Sequence, residues 1–349
     1  MSRIEEIDSN FKVNPSIGKT DVKFYDVLEE PFAVYGVFFQ DGQYRRLPEA
    51  VAKTVNDGVL ELHHHTAGGR VRFRTDSTYV AMHMESPFFS RMSHFPITGS
   101  CGLDLYETID GAERYIRTFV PSVNDLTGYE GVIELGEGMH EVTIHFPLYS
   151  QVSALYIGLS ESAQVFAPRP YVDRKPIVYY GSSITQGGCA SRPGSAYQNI
   201  LSRHLQWDHI NLGFSGSARG EDTMAEYIAS LDMSVFVYDY DYNAPSTEHL
   251  RNTHERMFKT IRAAHPNIPV VMMTRPKYYP TAEEVERITI IETTYKNALA
   301  AGDKNVYFIT GRELMAMAHD EGTVDSCHPT DLGFTSMAMA LEPLLAKLL

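Results

Sequence analysis

The chain has 349 residues, 43% of them hydrophobic and 21% charged, with 21 Tyr and 17 Phe, which is enough apolar material for about two packed domains and excludes a globally disordered chain. Lys and Arg number 30 against 44 Asp and Glu, and the net charge of −14 argues against general binding to nucleic acid or to an anionic membrane surface. Three cysteines (Cys101, Cys189, Cys327) imply no disulfide framework and form no CxxC pair, residues 1–10 lack the basic start and apolar core of a secretion signal, and there is no apolar run of about 18 residues, so a soluble, reduced, cytoplasmic protein is expected.

The first half reads as β. Residues 71–76 and 142–146 alternate apolar and polar side chains, and 79–84 and 154–159 are further short β-rich runs. A period of two turns one side toward a core and the other toward solvent. Asp41-Gly42, Asn56-Asp57-Gly58, Ala67-Gly68-Gly69, Asp110-Gly111 and Gly136-Glu137-Gly138 supply turns between the runs. Many short strands with few helical patterns predict a β-sandwich or jelly roll over residues 1–168.

The rhythm changes at Pro168-Arg169-Pro170, a natural joint. Short apolar runs follow at 177–180, 209–214, 235–240, 268–274 and 305–309. Amphipathic stretches of helical length lie between and after them, at 196–206, 221–230, 247–265, 282–301 and 331–349. Strand alternating with helix predicts an α/β fold for residues 169–349: a flavodoxin-like, three-layer α/β/α domain around a parallel sheet of about five strands. No repeat of 20–50 residues is present.

Ligands of an open α/β sheet bind beyond the carboxyl ends of its strands. The first predicted strand is followed by Gly181-Ser182-Ser183-Ile184-Thr185-Gln186-Gly187-Gly188, the second by Ser215-Gly216-Ser217 and the third by Asp241-Tyr242-Asn243-Ala244-Pro245. The fifth is followed, past a helical turn, by Asp325-Ser326-Cys327-His328-Pro329. Acyl transfer needs a hydroxyl activated by a base that works near neutrality, a carboxylate that holds the base, and donors for the oxyanion. Ser183 fits the nucleophile, His328 the base and Asp325 its orienting acid. The backbone N–H groups of Ser183 and Gly216 and the side-chain amide of Asn243 fit the oxyanion hole. Each also has an ordinary structural reading: Ser183 as a cap or turn former, Gly216 as a positive-φ turn residue, Asn243 as the close of a turn, Asp325 as a helix cap ahead of Pro329. The signal lies in all four blocks arriving in order, each after its own strand.

These blocks resemble the four blocks of the SGNH (GDSL) hydrolase superfamily, over roughly residues 172–349. Gly102-Leu103-Asp104-Leu105-Tyr106 is similar to the GxDLY signature of a β-domain that precedes some SGNH hydrolases. Together they imply the two-domain subgroup of esterases and acyltransferases. The chain departs from the pattern twice. Ser182 replaces the Asp of Gly-Asp-Ser, a residue that is not the triad acid, so a changed loop is expected with catalysis kept. Asp241-Tyr242-Asn243-Ala244 stands where Gly-x-Asn-Asp is usual, so Tyr242 and Pro245 are candidates for a different substrate wall.

Arg192 and Arg275, on loops near this rim, are further candidates for substrate contact, with ion pairing as the plainer alternative. Cys189 and Cys327 flank the site and could approach each other, with buried thiols as the default. Adjacent His63, His64 and His65 would point to alternate faces of a strand and so make a poor metal site. Asp239 and Asp241 could suggest paired glycosidase carboxylates, but the Ser/His/Asn set explains the rim better. Asp104 is expected to close a turn or support the joint between domains.

The expected function is that of a serine esterase acting on small O-acyl esters through an acyl-enzyme on Ser183; acetyl esters of carbohydrates are among the substrates the resemblance favours. Neither cofactor nor metal is called for. An acyltransferase using an alcohol acceptor, an inert carbohydrate-binding protein and a metal-dependent hydrolase are the alternatives. The expected partner is a small-molecule or carbohydrate ester; nucleic acid and membrane are not expected, and a homo-oligomer is admitted.

Overall fold

The computed structural model describes residues 4–13, 16–124, 127–172 and 174–349. In its first half two antiparallel sheets face each other. One orders Val22–Asp26, Ala154–Ser160, Tyr79–Glu85 and Gly128–Glu134. The other orders Val165–Phe166, Arg70–Thr75, His140–His145, Leu103–Ile109 and Ala112–Phe119, with Ala33–Tyr35 also paired to Arg70–Thr75. Val80, Met82 and Ile157 of the first sheet share a core with Phe73, Leu105, Val142 and Ile144 of the second. Burying one apolar face of each sheet against the other is what the alternation calls for.

The opposite face does not meet solvent as expected. Arg70, Arg72, Asp104, Thr143 and His145 are all buried. They alternate with the core residues, so they lie on the outer side of their sheet, and that side packs against the second half. Arg70 pairs with Asp208 and its Nε donates to the Tyr171 hydroxyl at 3.1 Å. The Arg72 guanidinium lies 4.1 Å from the centre of the Tyr171 ring. A polar sheet face can be buried where its groups find partners across the joint.

A second correction concerns helices in the first half. Glu49–Val55 and Asp57–Leu62 are helical and pack on the other half, with Leu47, Ala52 and Val59 in one core with Leu212, Phe214 and Met224. At 7 and 6 residues, these helices are too short to declare a 3.6-residue period.

The second half holds a parallel sheet ordered His209–Gly213, Ile177–Gly181, Val235–Asp239, Val270–Met273, Val306–Ile309. Helices Tyr197–Leu205, Asp222–Ser230, Thr247–Ala264, Ala282–Ala300 and Asp331–Ala346 cover it. Ile177, Tyr179, Val235 and Val237 belong to one core, and Val178, Tyr180, Phe236 and Tyr238 to another. Strands buried on both faces are apolar throughout, which is why each reads as an unbroken run. The strand order reverses beside Ile177–Gly181, and the crevice at such a switch point is where an open sheet binds ligands. No helix among the described residues is long and apolar enough to cross a membrane.

Candidate active site

Strand Ile177–Gly181 must end in glycine, because a Cβ there would overlap Asp239 Oδ1 and Thr185 Oγ1. Ser182, the departure from the usual block, caps the short helix Ser183–Gln186: its Oγ accepts the Ile184 N–H at 3.2 Å. An Asn or Asp would cap in the same way, so the expected change of loop reduces to a change of cap.

This turn presents Ser183 Oγ 2.9 Å from His328 Nε2. His328 Nδ1 lies 2.7 Å from Asp325 Oδ2. The other carboxylate oxygen accepts the backbone N–H of His328 at 2.7 Å and of Cys327 at 3.1 Å. Asp325 therefore fixes both the turn and the ring. With a proton on Nδ1 facing the carboxylate, Nε2 is free to accept from the serine. Burial pushes the Asp325 carboxyl up, but the hydrogen bonds from His328 outweigh it and hold the group below its ordinary value. Ser183 is nearly buried and His328 half-buried.

Gly216 has φ +67° and open space where a Cβ would sit, so its backbone conformation, not crowding, calls for glycine. Asn243 donates one amide hydrogen to the Phe214 carbonyl at 2.9 Å. That bond ties the third loop to the second and leaves the other amide hydrogen for a ligand.

Supports stand behind these groups. Thr185 Oγ1 donates to Asp239, whose carboxyl is driven up to about 8 by burial against the opposing pull of that hydrogen bond. Tyr149 and Arg46 of the first half reach backbone of the second, and Gln186 of the second half reaches back to the first. The Tyr149 hydroxyl donates to the Ser183 carbonyl at 3.1 Å. Gln186 accepts the Ser215 N–H at 3.0 Å, donates to the Leu148 carbonyl at 3.3 Å and meets His65 Nδ1 at 3.1 Å. Arg46 donates to the carbonyls of Gly213 at 2.5 Å and Asn211 at 3.1 Å, with its guanidinium 4.7 Å from the centre of the Phe214 ring.

Of the residues singled out in the sequence, Ser183, His328 and Asp325 form one hydrogen-bonded chain, and Asn243 is joined to the Gly216 loop through Phe214. The two arginines are already paired. Arg192 binds the Tyr106 hydroxyl, approaches Asp104 at 3.4 Å and lies 4.1 Å from the centre of the Tyr115 ring. Arg275 is ion-paired to Asp241 at 3.1 Å and Glu284 at 3.2 Å, over the Tyr242 ring at 4.1 Å. Asp241 is thus the partner of an arginine, and Tyr242 packs under it. Asp104 accepts the Gly194 N–H at 2.8 Å and contacts His145 at 3.1 Å, joining the two halves. His63 meets Arg45 at 3.0 Å while His65 turns to Gln186. All three cysteines are free thiols.

Sequence reasoning passed over Arg46, Tyr149 and His94, and weighed His65 only as part of a poor metal site. Arg46, Tyr149 and His65 act on backbone carbonyls or amide side chains, and no spacing rule marks such contacts. His94, an exposed residue of the first half, places its ring 5.7 Å from that of His328.

The sequence matches the model of the GDSL-like lipase/acylhydrolase family over residues 174–346 and that of the GxDLY N-terminus of SGNH-hydrolase-type esterases over residues 22–165. Among solved structures it is similar to one described as a GDSL-like lipase from Bacteroides ovatus ATCC 8483, at 29% identity and a TM-score of 0.84, covering 94% of this chain and 98% of that one. Two more distant structures share the fold. The salicylyl-acyltransferase SsfX3 from a tetracycline biosynthetic pathway is 18% identical, with a TM-score of 0.77 over 95% of this chain and 98% of that one. A family two carbohydrate esterase from Clostridium thermocellum is 15% identical, with a TM-score of 0.60 over 90% of this chain and 98% of that one. No curated protein matches the sequence.

Proposed function

Because the chain belongs to the SGNH (GDSL-type) hydrolases, in the two-domain subgroup with a GxDLY-type N-terminal domain, we propose that it hydrolyses small O-acyl esters through an acyl-enzyme on Ser183. The observation that carries this reading is the unbroken chain from Ser183 Oγ through His328 to Asp325, at 2.9 and 2.7 Å.

In this mechanism His328 Nε2 takes the Ser183 proton as Oγ attacks the ester carbonyl. Asp325 stabilises the imidazolium that forms. The oxyanion is met by the N–H groups of Ser183 and Gly216 and by the second amide hydrogen of Asn243; such donors contribute about 10²–10³ each in rate. Collapse expels the alcohol, which receives its proton from His328. Water then repeats the sequence on the acyl-enzyme and frees Oγ. The His328 side chain is 24% exposed and that of Asp325 37%, so an acceptor from solution can reach the base.

Structures described as carbohydrate esterases share this architecture, so O-acetyl carbohydrates are the first natural substrates to try. The division into a β-sandwich domain at 1–168 and a catalytic domain at 169–349 belongs to the same proposal, as does a reducing, cytoplasmic setting suited to free thiols. An aryl acetate assay tests it. The wild type is expected to turn over without loss in a chelator, and Ser183→Ala to lose at least about 10³-fold in kcat. Equal rates for the two proteins, or no turnover, would support a binding protein. Loss in chelator would support a metal hydrolase, and acyl transfer to added alcohols exceeding hydrolysis an acyltransferase.

A further inference from the structure

His94, Cys189 and His328 come from three segments that the fold fastens together. One ring nitrogen of each histidine and the Cys189 sulfur all lie within 4.8 Å of one another. The fastening is specific. Thr98 Oγ1, four residues after His94, donates to the Ser191 carbonyl at 2.6 Å. Phe95 is buried against Tyr149, ring centres 5.1 Å apart. The Cys189 N–H donates to the carbonyl of Pro329, the residue after His328, at 2.9 Å. Among the described residues nothing hydrogen-bonds the ring of His94 or the thiol of Cys189. Two unengaged donors are thus held against the one histidine whose proton transfer the chemistry needs.

We propose that these three residues form a zinc site whose occupation switches off the serine. This rests on the reading that Ser183 and His328 perform the reaction. One thiolate with two imidazoles is a donor set suited to zinc. Zinc bonds of about 2.0–2.1 Å to nitrogen and about 2.3 Å to sulfur put tetrahedral ligand atoms about 3.3–3.6 Å apart. Closing from within 4.8 Å to that spacing takes at most about 1.5 Å of side-chain movement, and His94 is exposed and so free to move. Asp325 occupies His328 Nδ1, so the metal takes the Nε2 lone pair that otherwise accepts from Ser183. Binding releases the Cys189 thiol proton to solvent, forms a Zn–S and two Zn–N bonds, and breaks the Ser183–His328 hydrogen bond. The fourth position is left to water.

The test has two independent readouts on the full-length chain freed of metal with a chelator. Zinc binding is followed by calorimetry, and cobalt substitution by the thiolate-to-cobalt charge-transfer band. Aryl acetate turnover is followed in parallel. One zinc per chain is expected, with turnover lost on binding and restored by chelator. His94→Ala and Cys189→Ser are each expected to keep turnover in metal-free buffer and to weaken zinc binding and inhibition by about tenfold or more; Cys189→Ser also loses the charge-transfer band. Absence of binding, binding unchanged in both variants, or full turnover with zinc bound overturns the proposal. Cys189 is buried, so if its variant misfolds, exposed His94→Ala decides. Should the metal-free wild type show no turnover, the esterase reading fails, while calorimetry and the cobalt spectrum still decide the metal site.

Discussion

Two aspartate–histidine pairs in this chain have similar geometry and different surroundings. At the rim of the parallel sheet, His328 Nδ1 is 2.7 Å from Asp325. In the joint between the halves, His145 Nδ1 is 3.1 Å from Asp104. The first pair is partly open to solvent, and the free nitrogen of its histidine meets a hydroxyl. The second pair is buried, and among the described residues Nε2 of His145 has no hydrogen-bond partner. Burial pushes the His145 imidazole below its ordinary value despite the carboxylate beside it. Asp104 stays below its own ordinary value because His145, Arg192 and the Gly194 N–H outweigh its burial. An Asp–His pair becomes a proton-transfer device where its outer nitrogen faces a hydroxyl and solvent. Sealed between two sheets, the same pair becomes a joint.

Removing the carboxylate from each pair is the sharpest way to break this comparison. Asp325→Asn should lower kcat by up to about 10⁴ with little change in unfolding free energy, because the ring loses its orienting charge but no packing. Steady-state kinetics paired with urea unfolding reads both quantities. Asn243→Ala should come next, at about 10²–10³ in kcat with KM much less affected, since its free amide hydrogen serves only the oxyanion. Asp104→Ala should do the reverse of Asp325→Asn: it strips the buried partner of His145 and Arg192, costs about 3–5 kcal/mol of stability in urea unfolding, and leaves kcat of the folded protein unchanged. If Asp104→Ala and Asp325→Asn behave alike, the distinction between device and joint is wrong.

The smallest effect concerns Asp239, which supports the nucleophile turn through Thr185. Its folded value of about 8 lies above the unfolded value near 4, so the folded state keeps a proton that the unfolded chain releases. This stabilisation is complete below about pH 4 and is lost as the pH rises through about 8. Asp239→Asn should flatten that part of the stability profile, measured by urea unfolding from pH 5 to pH 8.

The parallel sheet was legible because its strands are buried on both faces and show as continuous apolar runs. The Ser183, Asn243 and His328 blocks could be placed because each follows one of those strands. The first half was legible only in part. Its alternation marks strands such as Arg70–Thr75 and His140–His145, but alternation alone cannot tell a polar face in water from one buried against another domain. Arg70 and His145 look like surface residues in sequence and lie in the joint. Tyr149, Arg46 and His65 were out of reach for a related reason: they serve the site through contacts made only once the halves dock. The two candidate arginines failed to stand apart because a loop arginine paired to Asp104 or Asp241 reads the same in sequence as one awaiting a substrate.

The central claim is that Ser183 is the nucleophile. An organophosphonate, applied to the wild type and followed by peptide mapping, tests it without knowledge of the natural ester. The account predicts one adduct per chain, on Ser183, forming as aryl acetate turnover is lost and failing to form in His328→Ala at the same rate. An adduct on another residue, or intact Ser183 in an inactivated protein, would contradict it.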